Sequence, residues 1–170
     1  SGHRPDVFVA PTDPINPKIT KDRPMYQGRS LVYTWGIMLR REPLVTDEVY
    51  HIYNRGSHKA DIFKSNADRE RFLRLLYVCN GTAPVVSRDI PIGRSYVFER
   101  GERLVDIGAY CLMSNHFHLM IRERAENGIT VFMKKVATAY SMHFNAKYEH
   151  SGTLFQGRFK SRLVDNEAYL

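Results

Sequence analysis

The sequence predicts an α+β domain, an antiparallel sheet with helices packed on it. Three observations predict it. Short segments rich in β-branched and aromatic residues alternate with two longer stretches of helical period. Two of the strand-like segments are separated only by Ser114-Asn115, which makes them a hairpin and therefore antiparallel. And the 170 residues, 43% hydrophobic and 25% charged, have the balance of one domain large enough to bury a core.

Residues 1–43 stand apart as an N-terminal extension or arm, and 44–170 form the domain proper. Six of the eight prolines fall in the first part: Pro5, Pro11, Pro14, Pro17, Pro24 and Pro43. The stretch from Asp6 to Pro24 has no clear period, which predicts an extended or partly disordered arm.

From Leu44 the punctuation becomes regular. Glu48 to Asn54 (EVYHIYN) reads as a strand closed by Arg55-Gly56. Asn66 to Cys79 (NADRERFLRLLYVC) reads as an amphipathic helix with Phe72, Leu73, Leu76 and Tyr77 on its apolar face. Ser65 or Asn66 starts it, with acidic residues in the first turn, as in a capping box. The connection from Gly81 to Gly101 has room for short strands around Tyr96 to Glu99. Leu104 to Met113 (LVDIGAYCLM) and His116 to Arg122 (HFHLMIR) are the hairpin strands. Asn127-Gly128 leads into a long helix, about Ile129 to Tyr148. Its apolar positions Ile129, Phe132, Met133, Val136, Ala137, Tyr140, Phe144 and Tyr148 recur at three- and four-residue steps, and Gly152 closes it. Leu154 to Val164 (LFQGRFKSRLV) reads as a basic loop and short strand, and Asp165-Asn166-Glu167 as the start of another helix. The order β-α-(β)-β-β-α-β-α is that of an α+β sandwich of ferredoxin-like kind.

The formal net charge of +7 and a pI near 9.5 favour a polyanionic partner, and much of the charge lies in the C-terminal third. No apolar run approaches the roughly 18 residues of a membrane span, so no membrane partner is expected. The first segment lacks the apolar region of a signal peptide. Two cysteines, Cys79 and Cys111, give no disulfide framework and no zinc signature. Their apolar contexts predict two reduced core thiols and a cytoplasmic location.

The sharpest chemical feature is His116-Phe117-His118. Side chains alternate along a strand, so the two histidines project from one face while Phe117, Leu119 and Ile121 project from the other. Two imidazoles held side by side on a rigid strand suit two ligands of one divalent cation. Two strand histidines without any role would give the same pattern. His51, His58, His143 and His150 have no partner spacing and read as surface or satisfied histidines.

The segment YCLMSNHFHLMI, followed by a long helix and then SGTLFQGRFKSRLVDNEAYL, resembles the HUH single-tyrosine transposases (transposase IS200-like), in particular the REP-associated tyrosine transposases. YHIYNRG at Tyr50 to Gly56 resembles the family's first strand, so the resemblance runs over about Leu44 to Leu170. It implies an HUH nuclease/transposase fold and a bacterial, nucleoid-associated protein of DNA transposition and recombination. His116 and His118 would be the HUH pair, holding Mg²⁺ or Mn²⁺ against the scissile phosphate. The substrate would be single-stranded DNA beside a hairpin, cleaved by an endonuclease step and transferred through a 5′-phosphotyrosine. The family also allows a homodimer.

Tyr140 and Tyr169 are the tyrosines to weigh as catalytic. Tyr140 lies on the apolar stripe of its helix and reads as a core tyrosine with its hydroxyl at the rim. Tyr169 matches a supporting position at the start of the family's last helix. The family's nucleophile stands in a later Tyr-Ile-x-x-Asn-Pro motif, about two turns further on, so it is expected beyond Leu170 and the domain is expected to stop short of it. For DNA contact the candidates are Arg55, Arg122, Lys134, Gln156, Arg158, Lys160 and Arg162. Phe155 and Phe159, interleaved with the last of these, are either base-stacking or core. Lys135 and Arg124 read as solvated charges. The alternatives to a strand transferase are a non-catalytic hairpin DNA- or RNA-binding module, and a phosphodiesterase using water, which would need an acid such as Asp106 or Glu123 beside the histidines.

Overall fold

The computed structural model describes residues 43–86 and 90–164. The expected arm over 1–43, Pro43 excepted, and the helix expected from Asp165 lie outside the described residues. Four strands and two helices follow in the order β1 (Val49–Arg55), α1 (Asn66–Val78), β2 (Val105–Met113), β3 (His116–Glu123), α2 (Gly128–Tyr148) and β4 (Lys160–Leu163). They form one sheet in the order β2-β3-β1-β4, every neighbouring pair antiparallel. This is the β-α-β-β-α-β arrangement that the sequence pattern predicts. The correction concerns the connection before β2: the optional strand near Tyr96 is a 3-10 helix, Ile92–Val97.

The helices form on local signals. Ser65 caps α1 by accepting from the Asp68 amide, and the Asp68 carboxylate accepts from the Ser65 amide in return. Asp68 is fully buried and also accepts from Lys147 Nζ (2.6 Å) and Tyr148 Oη (2.7 Å), tying the start of α1 to the end of α2. Burial raises its pKa, but the bonds from Lys147, Tyr148 and Ser65 outweigh this and bring it down to about 2. The first turn of α2 holds no acid of its own. Glu123, buried at the end of β3, accepts from the Ile129 amide at 3.0 Å and places a carboxylate at the positive helix end.

The core lies between the sheet and the two helices. Tyr50 and Ile52 of β1 and Phe117, Leu119 and Ile121 of β3 meet Phe72 and Leu75 of α1 and Ile129, Phe132, Val136, Tyr140 and Phe144 of α2. Each such fully buried side chain contributes about 1.5–3 kcal/mol of apolar burial. Two expectations change here. Lys135 is not solvated: it is 1% exposed, and its ammonium donates to the Gly81 carbonyl (2.6 Å) and the Ala83 carbonyl (3.0 Å). Cys79 is buried as expected, but Cys111 is exposed, because β2 is an edge strand and Cys111 faces away from the helices.

Candidate nucleic-acid and metal-binding face

Both helices cover one side of the sheet, and among the described residues the other side is open. The register assigns each strand residue to a side. Of the rows that run across the open side, the three nearest the hairpin turn hold the candidate residues around the histidines. Met113, His116 and Arg55 form the first. Cys111, His118, Tyr53 and Lys160 form the second, and Ala109, Met120, His51 and Arg162 the third. His116 and His118 therefore share a face, as their spacing predicts, on one of the two central strands.

Their surroundings are specific. The His51 and His118 rings stack with centroids 5.0 Å apart, and His51 Nε2 lies 2.7 Å from His118 Nδ1. Tyr53 stacks on His51 at 5.1 Å and on His118 at 5.9 Å. His116 meets His118 edge-on at 5.0 Å, and its Nδ1 lies 2.6 Å from Asn115 Oδ1. Burial, then the nearby charges of His51 and His116, lower the His118 pKa below the ordinary histidine value. His118 is thus held toward its neutral form, the form that can ligate a cation.

The turn that presents the pair is clamped from below. The Ser114 carbonyl accepts from the Ile62 and Phe63 amides, and the Asn115 carbonyl accepts from the Gly56 amide. Gly56 sits so close to the Ala60 carbonyl that a Cβ there would overlap it, so glycine is required for this approach.

His51 corrects the sequence reading, which left it unpartnered. The alternation in YHIY puts it opposite Tyr50 and Ile52, which was legible. That its neighbour across the sheet is Met120, diagonal to His118, depends on register.

The basic candidates divide. Lys160 and Arg162 are exposed on the open side, in the rows of His118 and His51. Each is separated from the β3 histidine strand by β1, about 10 Å by the usual strand spacing. Arg55, opposite His116, donates from Nε to Gln156 Oε1, and the Gln156 amide donates to the Arg55 carbonyl at 2.8 Å. Asn54 Nδ2 holds the Gly157 carbonyl at 3.0 Å, so the 154–159 loop is pinned to the end of β1. Arg122 is exposed on the open side toward the far end of β3, and Arg158 is exposed in the loop. Lys134 is exposed on α2, in the helical layer behind the sheet, away from the histidines. Phe155 is a core residue, edge-on to Phe117 at 6.0 Å, and Phe159 packs partly buried against the core. Arg124 is not a lone solvated charge but pairs with Asp47 and Asp106.

Tyr140 is 0% exposed, and its hydroxyl is not at the rim. It donates to the Ile62 carbonyl at 2.6 Å, and burial pushes its pKa up strongly. A hydroxyl so placed cannot reach a phosphate on the open face. Tyr169 lies outside the described residues. Neither acid joins the histidines. Glu123 faces the helices, and Asp106, opposite Arg122, lies four residues along the sheet from the row of His118, about 13 Å away. Among the described residues, no group of three or more His, Cys, Asp and Glu side chains could by itself hold a metal ion.

Residues 99–169 match the family model described as transposase IS200 like. That stretch is thus similar to IS200-like transposases. It carries β2, β3 with His116 and His118, α2 and β4, whereas β1 with its YHIYNRG segment and α1 precede it. No curated protein matches the chain. Among solved structures, one similar chain is a REP-associated tyrosine transposase bound to a REP hairpin, at 12% identity and a TM-score of 0.41, covering 76% of this chain. This chain spans 64% of that one. Another, from Deinococcus radiodurans and described as a candidate transposase, has 16% identity and a TM-score of 0.44, covering 84% of this chain and 88% of that one. No helix among the described residues of this transposase-like chain is long and apolar enough to cross a membrane.

Proposed function

We propose that the open face of the sheet binds single-stranded DNA beside a hairpin and supports metal-dependent strand cleavage and transfer by a tyrosine. The observation that carries this reading is the convergence on one face of His116 and His118 with the alternating cations Lys160 and Arg162, within sequence of the IS200-like transposase family. His116 and His118 would hold Mg²⁺ or Mn²⁺, leaving its remaining positions to water, phosphate oxygens or residues outside those described. A divalent cation bound there supplies Lewis-acid polarisation of a phosphoryl oxygen and neutralises charge in the transition state. Lys160, Arg162 and the Arg55–Gln156 pair would draw the backbone across the sheet. The tyrosine would attack the phosphorus, displacing the 3′-hydroxyl and leaving a 5′-phosphotyrosine.

A second reading, a hairpin-binding module without cleavage, is favoured by the burial of Tyr140, which takes one candidate nucleophile away from the open face. One gel experiment separates the two. The protein is incubated with a library of labelled hairpin-plus-single-strand oligonucleotides and Mn²⁺. A native-gel shift that Lys160→Ala with Arg162→Ala abolishes supports binding on this face. No shift with any hairpin sinks both readings. A band that survives denaturation and is lost in His116→Ala establishes the strand transferase. If that band also vanishes in Tyr169→Phe, Tyr169 is the nucleophile.

A further inference from the structure

We propose that Asn115 and His51 are positioning residues that hold His116 and His118 in the Nδ1–H tautomer, so that two bare Nε2 atoms are presented to one divalent cation. The inference rests on the metal-binding reading above and deepens it by assigning the atoms that ligate and the groups that aim them.

The argument at His116 is one of elimination. Asn115 Nδ2 donates to the Lys59 carbonyl at 3.3 Å, and a carbonyl can only accept, so this contact fixes which way the amide points. Asn115 Oδ1 is then the atom 2.6 Å from His116 Nδ1. An amide oxygen also only accepts, so His116 Nδ1 must carry the proton. In the neutral ring its Nε2 therefore bears a lone pair.

At His118 the partner is an imidazole. His51 Nε2 and His118 Nδ1 are 2.7 Å apart, so one of them donates to the other. With His51 donating, His118 would carry its proton on Nε2 and could not ligate. With His118 donating, its Nε2 is bare. The second arrangement matches His116 and leaves His51 to carry its own proton on Nδ1. The ring stacking of His51 with His118 and with Tyr53 fixes the plane in which the bond is made. A ligating histidine commonly donates its other ring N–H to a nearby acceptor, which sets its tautomer and orientation. Here the acceptors are an amide oxygen from the turn and an imidazole nitrogen from β1. The second of these precedes the stretch that matches the transposase family.

The test has two parts. Long-range ¹H–¹⁵N NMR of the metal-free protein at pH 8 reports the tautomer of each ring, and titration with Mn²⁺ followed by the EPR signal of the free ion reports affinity. In the parent protein both His116 and His118 are expected as Nδ1–H. His51→Ala should remove the preference at His118 and weaken Mn²⁺ binding about ten-fold or more. Asn115→Ala should do the same at His116. His51→Gln keeps an acceptor near the Nε2 position and Asn115→Asp keeps the Oδ acceptor, so both should restore tautomer and affinity. An Nε2–H tautomer at His118 in the parent, or alanine variants that leave tautomer and affinity unchanged, overturns the proposal whatever the chain does to DNA. The expected tautomers with no Mn²⁺ uptake by the parent overturn the metal reading itself, and with it the purpose assigned to the two residues.

Discussion

The two faces of the central strand β3 divide its eight residues between opposite roles. Phe117, Leu119 and Ile121 are buried against the helices, and Glu123 caps α2 from the same side. His116, His118, Met120 and Arg122 stand on the open side, with His51 and Tyr53 of β1 and Lys160 and Arg162 of β4. Free energy of folding is concentrated on the first face, and the polar and titratable side chains of the candidate site stand on the second. A polar cluster can persist on the second face because the first one fixes the strand beneath it.

The comparison can be broken hardest from the covered side. Phe117→Ala should cost about 3–5 kcal/mol of stability, the usual range for a buried phenylalanine, read as a large fall in the midpoint of denaturant unfolding. A cost under 1 kcal/mol would mean that the core does not depend on this strand as described.

The next effect is one of pH. Asp68 has a folded pKa of about 2 against 3.8 for the free side chain, and the group is buried. A depressed carboxylate contributes stability above its unfolded pKa and loses it as pH falls through the folded one. Roughly 2 kcal/mol should therefore disappear between about pH 4 and pH 2. Asp68→Asn should be less stable at neutral pH and should flatten that part of the acid unfolding profile. An unchanged profile would contradict the Lys147–Asp68–Tyr148 tie.

Of similar size, Tyr140→Phe should cost about 1–3 kcal/mol by leaving the Ile62 carbonyl without its donor, while any covalent adduct with DNA persists. Loss of the adduct with stability unchanged would restore Tyr140 as a nucleophile.

The open face should show the smallest effects on folding. Lys160→Ala and Arg162→Ala should each change stability by no more than about 0.5 kcal/mol, yet each should reduce the salt dependence of DNA binding by about one ion. A salt slope equal to the parent's would take β4 out of the DNA path.

The α+β class, the two helices, the hairpin and the shared face of His116 and His118 were legible in the sequence, because they follow from periods of two and about 3.6 within a single segment. The capping of α1 at Ser65 was legible for the same reason. The 3-10 turn before β2 was not, since the segment around Tyr96 has too little pattern to choose between a short strand and a turn.

What only the tertiary structure decided concerns residues whose partners lie far along the chain. His51 looked isolated until pairing of β1 with β3 set it against His118, 67 residues away. Lys135 looked solvated until the connection from Gly81 laid two carbonyls over it. The Tyr140 hydroxyl was expected at the rim until Ile62 closed over it, and Asp106 could be placed only once the irregularity between Ile107 and Ala109 set its register opposite Arg122. The sequence by itself determined which side chains share a face, because that depends on backbone geometry alone. Which faces meet, and what is buried between them, depends on strand register and chain closure, and no local window of residues contains these.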